Sequence, residues 1–279
     1  MKKTLFIVAA AMMFVACQKD EVAVKATKTL TLKATMEQAS SASKTSFGEK
    51  EGSAQKLLWN VGDQILVVDE AGLTATLTAD AEADTATTTF TGTAPEGFGA
   101  IKYAFYGAFA NYDAAGETIE LTLPETCTNL NGISKGANPS YAIVSGDAAT
   151  FKNVCGILAF RADNSNFHVS TVGISSLDNN IAGKFSMDCT NGELNNIEGG
   201  KTMTANLNGA SGADLYFVVP ASSFSTGFKV SAKGYGMYSS MSGEKVNNAV
   251  STVFRSNILR LPELSFVANE EEWRIDIDY

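Results

Sequence analysis

The sequence holds one histidine, His168, in 279 residues. That excludes metal sites built on histidine pairs. A histidine-relay hydrolase is left with one base, in a polar stretch with no nucleophile motif beside it. Cysteine is also scarce, with 4 in the chain. Cys127, Cys155 and Cys189 are too few and too widely spaced for a C-x-x-C metal or redox site, and at most one bridge can join them. Cys155 sits in Val154-Cys155-Gly156-Ile157-Leu158 and reads as a small core residue. No apolar run after the first twenty residues is long enough to cross a bilayer as a helix. Phosphate loops, dinucleotide-binding glycine patterns and nucleophile elbows are all missing. Ser41-Ala42-Ser43-Lys44 fits S-x-x-K in spacing, but without that hydrolase's partner motifs. Asn111, Asp113 and Glu117 could bring oxygens together, yet the calcium-loop pattern is absent and a solvated turn is the better reading. The expectation is a protein that is not an enzyme, with no catalytic residue, cofactor or metal.

What is present begins at the N-terminus. Lys2 and Lys3 precede an apolar stretch from Leu5 to Val15, then Ala16 and Cys17. This is the layout of a signal peptide over residues 1–16. A cysteine directly after the small residue is the mark of a lipoprotein signal, in which Cys17 carries diacylglycerol and a further acyl chain such as palmitate. The alternative is an ordinary signal with an incidental cysteine. Each buried methylene contributes about 0.8 kcal/mol, so two or three chains anchor where one does not. Removal of residues 1–16 takes two lysines and no acid, moving the formal charge from −9 to −11. Such a chain is repelled by phosphate backbones, so no nucleic-acid partner is expected.

The mature chain alternates apolar and polar residues, the strand signature, and shows no sustained helical stripe. In Thr29 to Met36, Leu30, Leu32, Ala34 and Met36 share one face. Ala39 to Ser46 reads as a loop. Further strands are expected at Leu57 to Val68, Leu73 to Thr78, Ala86 to Thr91, Ile101 to Phe109, Thr118 to Leu123 and Tyr141 to Val144. A second set is expected at Val154 to Arg161, His168 to Ile174, Ile181 to Met187, Lys201 to Leu207, Leu215 to Val219, Phe228 to Ala232, Ile258 to Leu261 and Trp273 to Tyr279. Gly, Asn, Asp and Pro punctuate them. Many short strands imply an all-β sandwich architecture. A break near Ser145-Gly146-Asp147 divides the chain into a tether at 17–27, an N-terminal sandwich at 28–148 and a C-terminal sandwich at 149–279. Trp59, beside the Gly62-Asp63 turn, is expected in a core, and Gly156 at a bulge or a close backbone approach. Tyr103, Phe105, Tyr106, Phe109 and Tyr112 form an aromatic cluster, read as core in preference to a sugar-binding platform.

Several motifs, in order, resemble the fimbrillin family, lipoprotein pilins of type V pili in Bacteroidales-type bacteria. Leu58-Trp59-Asn60-Val61-Gly62-Asp63-Gln64-Ile65 is similar to the family's W-x-x-G-D-x-I stretch. Phe151-Lys152-Asn153-Val154-Cys155-Gly156-Ile157-Leu158 resembles its F-K-N-x-x-G-x-L opening of the second domain. Ile181 to Phe185, Tyr216 to Pro220 and Ser256 to Pro262 add to the likeness, which covers nearly the whole mature chain. The resemblance implies two tandem transthyretin-like β-sandwich domains and assembly by strand exchange: a protease removes the first strand, and a neighbouring pilin subunit's strand refills the groove. The candidate donor is the alternating strand Trp273, Ile275, Ile277, Tyr279, which could equally pair within its own domain. Lys19, Asp20 and Glu21 resemble the lysine-plus-acid export signal that sends such lipoproteins to the outer face of the outer membrane. The family's processing follows arginine, whereas the first arginine here is Arg161. Lys44 is the nearest basic candidate site. The implied function is a structural subunit or anchor of pili supporting cell adhesion. The alternative is a stand-alone lipid-anchored adhesin for glycans or host proteins.

Overall fold

The structure, a computed structural model, describes residues 28–37, 47–51, 54–82, 84–163, 168–207, 212–235, 240–248, 252–268 and 273–277. Every regular element among them is a strand. The first half carries β1 (Lys28–Met36), β2 (Phe47–Glu51), β3 (Ala54–Leu57), β4 (Gln64–Asp69), β5 (Thr74–Ala79), β6 (Thr87–Ala94) and β7 (Ile101–Tyr106). Then come β8 (Phe109–Asp113), β9 (Thr118–Leu123), β10 (Thr126–Cys127), β11 (Ser140–Ile143) and β12 (Ala148–Asn153). The second half carries β13 (Cys155–Asp163), β14 (His168–Ser176), β15 (Ala182–Asp188), β16 (Leu194–Gly200), β17 (Thr202–Asn206) and β18 (Gly212–Pro220). It continues with β19 (Phe228–Tyr235), β20 (Ser240–Asn247), β21 (Ile258–Arg260), β22 (Leu264–Ala268) and β23 (Trp273–Ile277).

The first sheet runs β1-β12-β11-β7-β4-β5-β6 and closes into a barrel, because β6 pairs with β1. Inward residues alternate as the pleat demands: Leu30, Leu32, Ala34 and Met36 from β1, Ile65 and Val67 from β4, Ala104 and Tyr106 from β7, Phe90 from β6 and Phe151 from β12. Trp59 sits fully buried among them. Its ring meets Phe90, Tyr106 and Phe151 edge-on at centroid distances of 4.9, 5.2 and 5.1 Å. Edge-on packing sets ring hydrogens against a π-face and adds to the burial energy.

The second half, with β10 added from the first, forms a sandwich of two sheets, β10-β17-β14-β19-β20 against β18-β13-β22-β23, with β21 also on β13. Leu158 and Phe160 of β13, Ile174 of β14, Met203 of β17, Phe217 of β18 and Val230 of β19 fill the space between the sheets. β13 and β18 also bury their other faces. Cys155, Ile157, Ala159, Tyr216 and Val218 pack with Tyr103 and Phe105 from the outside of the barrel, and with Ile119, Leu121, Phe185 and Met187. A strand covered on both sides needs a continuous apolar run, which is what Phe217 to Val219 supplies. Ile119, Leu121, Phe185 and Met187 lie on the sheet β16-β15-β9-β8, where β9 from the first half pairs antiparallel with β15 from the second.

Several boundaries differ from expectation. The stretch expected as one strand from Leu57 to Val68 breaks into β3 and β4, because Gly62 turns the chain at φ +69°. The stretch from Ile101 to Phe109 breaks at Gly107, whose φ is +113° and where a Cβ would stand only 3.0 Å from the Pro139 backbone. The expected division between residues 148 and 149 falls at the start of β12, which pairs with β1 and β11 of the barrel. β16, β20 and β22 carry no clear alternation in sequence and lie outside the expected strands.

Candidate functional site

β1 is held between two neighbours. It pairs antiparallel with β6, from Lys28↔Ala94 to Thr35↔Thr87, and parallel with β12, from Lys33↔Ala148 to Met36↔Phe151. Its side chains read exposed and buried in alternation, with Leu32 and Ala34 at 0 % exposure. Burying Leu30, Leu32 and Met36 contributes roughly 1.5–3 kcal/mol each. A barrel without this strand would expose apolar area and two unpaired ladders, a ready seat for another strand.

The far end of β1 is tied to the sandwich. The Glu37 amide donates to the Phe151 carbonyl at 2.8 Å, continuing the ladder. The Glu37 carboxylate accepts from the Arg255 guanidinium at 3.2 Å and from the Ser256 hydroxyl. Arg255 also donates to the Asn153 carbonyl at 3.0 Å. The expected close approach at Gly156 is part of this junction: a Cβ there would stand 2.3 Å from the Phe254 carbonyl oxygen. The sequence reading misses this cluster. Ser256 enters it only as part of a strand motif, and nothing local to Glu37 or Arg255 signals their meeting across 218 residues.

Trp273 to Ile277 lie in β23, paired antiparallel with β22 from Leu264↔Ile277 to Ala268↔Trp273. β22 in turn meets β13 through Ala162↔Leu264 and Asp163↔Ser265. The candidate donor thus pairs at the margin of its own chain's sheet. Tyr279, Cys17, Lys19, Asp20, Glu21, Lys44 and the S-x-x-K stretch lie outside the described residues.

The remaining candidates resolve into structure. Cys127, Cys155 and Cys189 are free and buried. Burial pushes all three thiols up, Cys189 to about 12 with help from the neighbouring Asp188 charge. Tyr103 and Phe105 face one core and Tyr106 the other, with Phe109 and Tyr112 packed partly against the first. Asn111 donates to Glu120 at 2.7 Å, Asp113 accepts from the Ala115 amide at 3.0 Å, and Glu117 pairs with Lys102. Among the described residues no group of His, Cys, Asp and Glu could hold a metal ion. Asp63, fully buried after the Gly62 turn, accepts from the Asn60 amide at 2.7 Å and the Tyr106 hydroxyl at 2.9 Å, with Lys135 at 3.4 Å. On the outer face of β1, β12 and β11 a shallow depression of about 610 Å³ is lined by Lys33, Thr35, Tyr141, Ile143, Thr150 and Lys152.

No protein-family model matches the chain. No curated protein matches it either. Among solved structures, the chain is similar to a candidate cell adhesion protein from Bacteroides ovatus, with a TM-score of 0.52 and 11% identity over 91% of this chain and 97% of that one. This is a likeness of fold. The tip fimbrial protein Mfa3 from Porphyromonas gingivalis aligns over 91% of this chain and 99% of its own, at 7% identity. Its TM-score of 0.34 is too low to bear on the fold.

Proposed function

We propose that this chain is a surface lipoprotein serving as a structural subunit or anchor of type V pili, assembled by strand exchange and supporting cell adhesion. The observation that carries the reading is β1. The first described strand completes a closed barrel with four inward apolar residues, and the segment after it contains Lys44. Cleavage there would release β1 and open a groove between β6 and β12. The fold likeness to a candidate cell adhesion protein supports the same reading. Barrel and sandwich would be the two tandem transthyretin-like units. Cys17 would carry the lipid, Lys19, Asp20 and Glu21 would direct export to the outer face of the outer membrane, and the partners would be other pilin subunits. The chemistry is that of assembly, with no reaction catalysed.

The depression beside Lys33 and Thr35 favours one alternative, a stand-alone adhesin that keeps β1 and binds a surface glycan there, since two of its lining residues belong to β1 itself. Cell extracts run on a denaturing gel without boiling separate the two. Ladders that collapse on boiling support the pilus subunit. A monomer band alone, from cells that bear the protein on their surface, contradicts it.

A further inference from the structure

Glu37 follows Met36, the last inward residue of β1, and its partners Arg255 and Ser256 sit on a loop of the sandwich that stays behind if β1 leaves. That loop is fixed without Glu37. The Ser256 amide donates to the Cys155 carbonyl at 3.0 Å, the Asn257 amide to the Phe254 carbonyl at 3.2 Å, and the Ile157 amide to the Asn257 carbonyl at 2.9 Å. Arg255 is steadied by the Asn153 carbonyl, and Ser256 holds a left-handed backbone at φ +59°. A guanidinium and a hydroxyl therefore stand pre-placed at the mouth of the groove, matched to a carboxylate.

An alternating apolar strand cannot choose its own register in such a groove. Sliding it by two residues leaves the same face inward. A charged clamp at one end breaks that degeneracy. The strand β1 presents Leu32-Lys33-Ala34-Thr35-Met36-Glu37, and the C-terminal strand reads Trp273-Arg274-Ile275-Asp276-Ile277-Asp278. Both have three alternate apolar residues, a base after the first and an acid directly after the last.

Resting on the strand-exchange reading, we propose that Arg255 and Ser256 form a carboxylate clamp that sets the register of the incoming strand. The strand it fits is the C-terminal segment of a second copy of this chain, with Asp278 in the place of Glu37. In this register Trp273, Ile275 and Ile277 take the places of Leu32, Ala34 and Met36. Of the two registers displaced by two residues, one brings Asp276 to the clamp but forces Glu271 into the fully buried place of Leu32, and the other puts Tyr279 in the place of Met36 and carries Asp278 to the place of Thr35, away from the clamp.

The test uses the full chain nicked by limited proteolysis between residues 38 and 46, with fluorescent peptides of residues 271–279 and binding read by anisotropy. The unaltered peptide should bind and displace β1. The Asp278→Asn peptide should bind roughly tenfold more weakly. The Asp276→Asn peptide, with the same charge change at a place away from the clamp, should bind as the unaltered one does, and Asp278→Glu should keep its affinity. On an Arg255→Met acceptor the preference for the carboxylate at position 278 should vanish. The deciding comparison is Asp278→Asn against the unaltered peptide on the native acceptor. Equality there overturns the clamp while leaving strand exchange standing, as does a preference that survives in Arg255→Met. Binding of no peptide overturns strand exchange and the clamp together. If Arg255→Met does not fold, the peptide comparison on the native acceptor decides alone.

Discussion

At the scale of single residues, the positions that do most are small or buried. Gly156 admits the Phe254 carbonyl to within 2.3 Å of where a Cβ would stand, with Val253 at 2.4 Å. Backbone cannot yield as a side-chain tip does, so Gly156→Ala should destabilise the protein by about 1–3 kcal/mol, read as a lower midpoint in urea. An unchanged midpoint would show that the loop moves freely. The buried thiols give a second expectation. Cys127, Cys155 and Cys189 have raised pKa values through burial, so native protein at pH 8 should resist iodoacetamide while denatured protein reacts at all three. The sign for stability follows. A thiol raised in the folded state contributes stability that is fully present below its ordinary value and is lost as pH climbs toward about 12 for Cys189. Stability should therefore fall, not rise, above about pH 9, the free thiol's range. Trp59, Gly62 and Gly156 are legible in sequence because each residue type has few alternatives. The meeting of Glu37 with Arg255 is not, because no local pattern encodes a contact between distant loops.

At the scale of elements, legibility tracks burial. Strands with one wet face, such as β1, β5 and β9, announce themselves by alternation. β16 does not, since Asn195, Asn196, Ile197 and Glu198 are all exposed at a sheet edge and no apolar face is needed. The closing of the barrel is also invisible, because alternation fixes which face is inward but not which strand is the neighbour. β1 should be energetically central: Leu32→Ala, at a fully buried place, should cost about 2–5 kcal/mol. Fluorescence of Trp59 under urea titration would report it, and a loss below that range would mean the barrel tolerates a gap in β1. β23, by contrast, is hydrogen-bonded among the described residues to β22 alone, at the end of its sheet path, and runs close to β20. Deleting residues 273–279 should abolish polymers and leave the remaining monomer folded. An unfolded monomer would mean the strand belongs to its own domain, and persisting polymers would place the donor elsewhere.

At the scale of the whole molecule, the barrel and the sandwich share a core. Tyr103 and Phe105 from the barrel pack with Ile157, Val218, Ile119 and Met187. Two beads on a string would unfold in two steps. A shared apolar core couples them, so calorimetry should give one cooperative transition, with calorimetric and van't Hoff enthalpies in agreement; two resolved transitions would show the halves to be independent. The same coupling lets the sandwich hold the end of β1 through Arg255 and Ser256 while the barrel holds its length. The central claim is that the C-terminal strand of one copy fills the place of β1 in another. A photo-crosslinking amino acid at position 275, activated in intact cells, tests it most directly. The expected product is a covalent dimer whose crosslink maps to residues 87–94 or 148–153 of a second copy. Crosslinks confined to residues 264–268 of the same chain would contradict strand exchange.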